Sequence, residues 1–171
     1  GTQGGVVRLD PNTGRFTQFD DDAWFGRDGI GLGSTSFHED SQHNLWIGGV
    51  GWMLQHNPEK DQVEVMYLID KEHGEWIEYM LEDSKGNLWF ACETRLVKVK
   101  KEATEGENKF TLFTKANGLP DGKIQTIVED KQKNVWISTD QGLALMVGGV
   151  ENIGKRDWIQ YGKPDGLKSN G

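Results

Sequence analysis

Adjacent carboxylates recur three times in this chain, as Glu39-Asp40, Glu82-Asp83 and Glu129-Asp130. Each pair is followed by an Asn and then a Trp: Asn44 and Trp46, Asn87 and Trp89, Asn134 and Trp136. Two carboxylates facing one reacting centre can act as general acid and base, and clustered oxygens can hold a hard cation such as calcium. Repetition argues against catalysis, because an active site is a single convergence of groups and these pairs fall on separate copies of a repeat. The Asp-x-x-x-Asn spacing also lacks the dense oxygen pattern of a calcium loop. Asp and Asn side chains that bond back to nearby amides are turn chemistry. Asp40, Asn44, Trp46, Asp83, Asn87, Trp89, Asp130, Asn134 and Trp136 are therefore read as structural, with the indoles packed between adjacent units, where a large aromatic face buries most area.

The aromatic residues outside the repeat have the better claim to ligand chemistry. Trp24, Trp52 and Trp76 fall in or beside connecting segments, accompanied by Arg27, Asp28, His73, Glu75 and Arg95. Aromatic platforms with a few charged hydrogen-bonding groups suit a carbohydrate, whose rings offer apolar faces and hydroxyls together. Trp24, Arg27, Trp52, Trp76 and Arg95 are the candidate ligand-binding residues. His38, His43, His56 and His73 show no metal-ligand spacing on a shared element, so no metal site and no cofactor is expected. Gly29-Ile30-Gly31-Leu32-Gly33 is followed by a strand and not by the helix N-terminus that phosphate cradling needs. Ser34, Ser36 and His38 form no nucleophile constellation.

The elements that must carry these residues read as β. Ile124, Thr126 and Val128 alternate with Gln125 and Ile127 ahead of Glu129-Asp130, and Val135 and Ile137 bracket Trp136 behind it, so each repeat core is a hairpin. A small-residue bend (Gly48 to Gly51, Glu93-Thr94, Thr139 to Gly142) leads to a third strand such as Leu96–Lys100 or Leu143–Val147. A fourth follows at Phe16–Phe19, Val63–Met66, Phe110–Phe113 and Trp158–Tyr161. The repeated tryptophans are 43 and 47 residues apart, the size of a four-stranded propeller blade. The expected fold is all-β, a β-propeller fragment of about three and a half blades: third and fourth strands plus a connection over 1–33, then blades over 34–76, 77–123 and 124–171. Such a fragment implies partners for its open edges, either the remaining blades of a longer chain or a second copy.

Composition narrows the function classes. A formal charge of −8 and a pI near 5.0 argue against a nucleic-acid surface, which needs clustered Lys and Arg. The run Lys98-Val99-Lys100-Lys101 reads as the polar face of an outer strand. No stretch approaches the length of a membrane span, and the single cysteine, Cys92, reads as a small buried apolar residue.

Glu82-Asp83-Ser84-Lys85-Gly86-Asn87-Leu88-Trp89-Phe90, with Asn117-Gly118-Leu119-Pro120 ahead of the third unit, resembles the two-component regulator propeller repeat. The resemblance covers essentially the whole chain; His43 and Lys133 replace the turn glycine, and Ala91-Cys92 replaces Gly-Thr. It implies a non-catalytic, periplasmic sensor segment of a bacterial hybrid two-component histidine kinase, with oligosaccharide as the ligand class. The repeat differs from the sialidase Asp-box, in which the aromatic comes five residues after Asp; Asp83 to Trp89 is six. Two other readings stand beside the sensor: a propeller lyase of the streptogramin type, which needs a His and Glu cluster at a central mouth, and a protein-interaction scaffold.

Overall fold

The computed structural model describes residues 6–19, 36–57, 59, 62–67, 75–100, 110–146 and 158–167. Fourteen strands account for most of them, and short 3-10 turns at Lys115–Asn117 and Lys163–Asp165 are the helical elements among them. The chain divides into two compact units, Gly1–Ile77 and Glu78–Gly171.

In the first unit, β1 (Val6–Leu9) and β2 (Phe16–Phe19) form a two-stranded antiparallel sheet in which Leu9 faces Phe16 and Val7 faces Gln18. Asp10 makes the turn between them: its Oδ1 accepts the Asn12 and Thr13 amides, and its Oδ2 accepts the Thr13 hydroxyl. A four-stranded sheet follows, with β3 (Ser36–Glu39), β4 (Leu45–Gly48), β5 (Trp52–Asn57) and β6 (Gln62–Tyr67) in sequential order. Trp46, Ile47, Trp52, Met53 and Leu54 are its buried apolar residues. Simple meanders of this kind arise because each short loop returns the chain beside the strand it has just left.

The second unit holds two more meanders. One comprises β7 (Ile77–Glu82), β8 (Leu88–Cys92), β9 (Leu96–Val99) and β10 (Phe110–Phe113). The other comprises β11 (Ile124–Glu129), β12 (Val135–Thr139), β13 (Gly142–Met146) and β14 (Trp158–Tyr161). Their facing surfaces share one core, in which Trp89, Ala91, Leu96 and Phe113 of the earlier sheet meet Ile127, Val135, Ile137, Ala144, Met146 and Trp158 of the later one. Trp89 stacks on Phe113 with ring centroids 5.7 Å apart, and Trp158 meets Phe113 edge-on at 6.1 Å. These are the offset and T-shaped geometries that aromatic quadrupoles favour. Trp89 thus packs between adjacent sheets, in the place expected of the repeated indole.

One surface reading changes and the reading of the cysteine stands. Lys98 is buried, its ammonium 4.9 Å from the centre of the Trp89 ring. It is therefore not part of a solvated outer face: register sets it opposite Trp89 on the side that meets the next sheet. Cys92 is buried in β8, as a small apolar residue would be.

Candidate functional site

The repeated carboxylates are consumed by the fold. In the first copy, Asp40 Oδ2 accepts the Trp46 indole N–H at 2.8 Å, and Oδ1 accepts the Gln42 and Asn44 amides at 2.9 Å each. The Asn44 side-chain amide donates to the same carboxylate at 2.9 Å. Asp83 treats Lys85, Asn87 and Trp89 in the same way, and Asp130 does so for Gln132, Asn134 and Trp136. One carboxylate thus closes the hairpin turn and fixes the rotation of an indole six residues later. Burial alone would raise the Asp40 carboxyl, but the bonds from Trp46 and Asn44 outweigh it and hold the group below its usual range. The Asn134 and Trp136 side chains hold Asp130 down to about 2. A carboxylate so stabilised as the anion is a poor proton shuttle near neutrality.

The other member of the third pair is also engaged. Glu129 accepts the Ser84 amide and hydroxyl, both at 2.9 Å, and so ties the β11–β12 hairpin to the preceding turn. Gly86 fills the left-handed position of its turn with φ 78°; His43 and Lys133 occupy the same position with φ 63° and 69°. The two departures from the turn glycine thus keep its backbone conformation.

The candidate ligand residues separate. Trp24 and Arg27 lie outside the described residues, as do Asp28 and His73. Trp52 begins β5 but is only 1% exposed, and its ring lies over Gly49 where any Cβ would collide with it. The expectation that it stands at a connection, available to a ligand, is corrected: the glycine bend lets the indole fold down into the core. Trp76 is 37% exposed and bridges to Val50, so the fold brings it to the same bend as Trp52. Arg95, half-buried, begins the return into β9, its carbonyl accepting the Cys92 amide at 2.8 Å. Trp76 and Arg95 therefore each stand at an edge of their own sheet, Trp76 just before β7 begins and Arg95 where β8 turns into β9.

In the second unit that edge is charged and ordered. Lys123 reaches Glu78 at 2.8 Å and Glu93 at 3.4 Å, which raises the Lys123 pKa through the bond to Glu78 first. Its amide donates to Asp140 Oδ1 at 2.9 Å, the Ile124 amide donates to the Glu93 carbonyl at 2.8 Å, and Lys115 pairs with Asp121. Leu119 anchors this connection in the core. The sequence reading gave no role to Glu78, Glu93, Lys123 and Asp140; their signal was position, each sitting beside a bend or at the start of its sheet's first strand. Among the described residues no three His, Cys, Asp or Glu converge as a metal site, and no helix is long and apolar enough to cross a membrane.

Comparison with known proteins agrees with this construction. The extracellular domain of a protein described as a hybrid two component system of B. thetaiotaomicron superposes with a TM-score of 0.71 at 23% identity, covering 99% of this chain and 22% of that one. That of a one component system of the same organism gives 0.66 at 16% identity, covering 90% of this chain and 20% of that one. A streptogramin B lyase gives 0.64 at 15% identity, covering 94% of this chain and 48% of that one. This chain therefore spans about a fifth of the length of the first two. No curated protein matches it in sequence. These likenesses show the β-propeller fold. Residues 118–141, from the Gly118-Leu119-Pro120 connection through the Asp130, Asn134 and Trp136 clamp, match the family model of the two component regulator propeller. The chain is a β-propeller segment that, over residues 118–141, matches the repeat of the two component regulator propeller.

Proposed function

We propose that this chain is a non-catalytic part of the ligand-sensing region of a bacterial hybrid two-component regulator, lying outside the cytoplasm and recognising an oligosaccharide. The observation that carries the reading is the engagement of the repeated carboxylates. Asp40, Asp83 and Asp130 each hold an indole and a turn, which removes the conspicuous acidic pairs from chemistry. In the first unit Trp76 offers an exposed aromatic face, and in the second Arg95, Lys123, Glu78 and Glu93 offer polar groups; sugar rings take both kinds of contact. Signalling follows if ligand binding favours one packing of this region against its neighbours over another.

Calorimetric titration of the complete sensor region with an oligosaccharide panel tests the reading. A binding glycan is expected, with Trp76→Ala weakening it about tenfold, the equivalent of about 1.4 kcal/mol for one stacking platform. No heat with any glycan, alongside activation by another stimulus, would overturn the carbohydrate assignment. The likeness to a streptogramin B lyase supports a second reading, an enzyme on the same fold. Turnover of a streptogramin B by the purified chain would establish it and displace the sensor.

A further inference from the structure

Asp121 and Gly122 form an exposed Asp-Gly pair in the connection between β10 and β11, and the fold turns one against the other. The Gly122 amide donates to Asp121 Oδ1 at 3.2 Å, so the carboxyl group stands beside the main-chain nitrogen that follows it. The Asp121 side chain is 67% exposed, and Gly122 has no side chain to screen the nitrogen from it. The position is reserved for glycine. Its φ is 101°, and a Cβ there would collide with Asp140 Oδ1, which accepts the Lys123 amide at 2.9 Å.

The chain carries its own control. Pro120-Asp121-Gly122 and Pro164-Asp165-Gly166 are the same tripeptide, so local sequence gives them the same intrinsic reactivity. The fold treats them differently. Asp165 Oδ2 accepts the Gly162 amide at 2.8 Å, and the Gly166 amide donates to the Lys163 carbonyl at 3.1 Å. At the second pair the carboxyl and the nitrogen are therefore each engaged elsewhere, whereas at the first they engage one another.

We infer that Asp121 is a site of self-modification, at which the Gly122 nitrogen attacks the carboxyl carbon to give a cyclic imide that reopens as isoaspartate. A C–N bond forms between Asp121 Cγ and the Gly122 nitrogen; the nitrogen gives up its proton and Cγ its hydroxyl, which leave together as water. Hydrolysis returns that water to either carbonyl of the ring. Opening at the α-carbonyl leaves the main chain running through Cγ, one carbon longer, beside a free α-carboxylate. Holding the two groups side by side supplies the proximity that the cyclisation needs. Lys115 opposes it: its bond to Asp121 holds the carboxyl below its ordinary range, in the ionised form that has no hydroxyl to release as water. A longer chain at Asp121 displaces Lys123 and Ile124, which join β11 to Glu78 and Glu93 of the preceding sheet, and so loosens that joint.

Incubation of the purified chain at physiological temperature and mildly acidic pH, followed by peptide mapping with electron-transfer fragmentation, tests this. Isoaspartate leaves the mass unchanged but breaks into different fragments, which separates it from deamidation of Asn117. In the folded chain isoaspartate is expected to accumulate several times faster at Asp121 than at Asp165, and in urea the two rates should converge. Lys115→Gln, at an exposed position, should raise the Asp121 rate severalfold and leave the Asp165 rate unchanged. Asp121→Glu should stop isomerisation there, because its longer side chain closes a larger and less favourable ring. Circular dichroism and melting temperatures matching the parent chain would establish that both variants fold. No isoaspartate at Asp121, equal accumulation at the two pairs in the folded chain, or a Lys115→Gln rate equal to the parent's would each overturn the inference.

Discussion

Removing the Asp83 carboxylate is the sharpest perturbation of the fold. Its Oδ2 accepts the Trp89 indole N–H at 2.9 Å, and its Oδ1 accepts the Lys85 and Asn87 amides at 3.0 and 2.8 Å. Trp89 has no exposed surface, so in Asp83→Ala its N–H stays buried with no acceptor. A charge-assisted hydrogen bond contributes about 1.5–3 kcal/mol, and an orphaned buried donor costs about 1–3 kcal/mol. These overlap, and water can reach the exposed Lys85 turn, so we expect a loss of about 3 kcal/mol. With a urea m-value of about 2 kcal/mol/M, the midpoint falls by about 1.5 M. Asp83→Asn should lose about 2 kcal/mol, because it keeps an oxygen for the amides but turns an NH2 group on the indole. Trp89→Phe has no N–H to strand, so a double-mutant cycle with Asp83→Ala should show coupling of about 1–2 kcal/mol. Urea unfolding followed by far-ultraviolet circular dichroism reads all of these. A loss below about 0.5 kcal/mol for Asp83→Ala, or strict additivity in the cycle, would refute the clamp.

The same physics gives three further expectations. Gly49→Ala should cost about 2 kcal/mol by forcing the Trp52 ring off the bend; an unchanged melting temperature would contradict that packing. Lys133→Gly should stabilise the chain by about 0.5–1 kcal/mol by relieving a left-handed backbone, and Gly86→Lys should destabilise it by a similar amount, both read from urea midpoints. The Asp130 carboxyl, about 2 when folded, lies below its ordinary 3.8. Its stabilising contribution is therefore complete above the unfolded value and is lost as pH falls through about 2. Thermal melts should show the parent's advantage over Asp130→Asn shrinking as the solution is acidified from about pH 5 toward 2; a constant gap would remove Asp130 as the source.

Much of the fold was legible because each repeat states its hairpin twice, once as β alternation and once as Asp-x-x-x-Asn turn chemistry. The fourth strands at Phe16–Phe19, Phe110–Phe113 and Trp158–Tyr161 coincide with the strands found. What sequence could not supply was which way a side chain leaves its strand. Trp52 looked available because it borders glycines, yet those glycines are what admit the ring to the core. Lys98 looked solvated because it is charged, yet its register places it over Trp89. Val7 and Leu9 pair with Gln18 and Phe16 as Ala144 and Met146 pair with Gln160 and Trp158, and that register decides which face they present. Of the proposed ligand residues, Trp76 is exposed and Arg95 half-buried, each beside a bend of its own sheet, whereas the charged groups around Lys123 emerge only once separate connections are folded together.

The claim on which the account rests is that the three repeated Asp, Asn and Trp sets are structural clamps. Hydrogen exchange of the assigned indole N–H protons of Trp46, Trp89 and Trp136 by NMR tests it most directly. The clamps predict strong protection for Trp46 and Trp89, weaker protection for the half-buried Trp136, and loss of the Trp89 protection in Asp83→Ala. Three indole protons exchanging together at the rate of free tryptophan would contradict it.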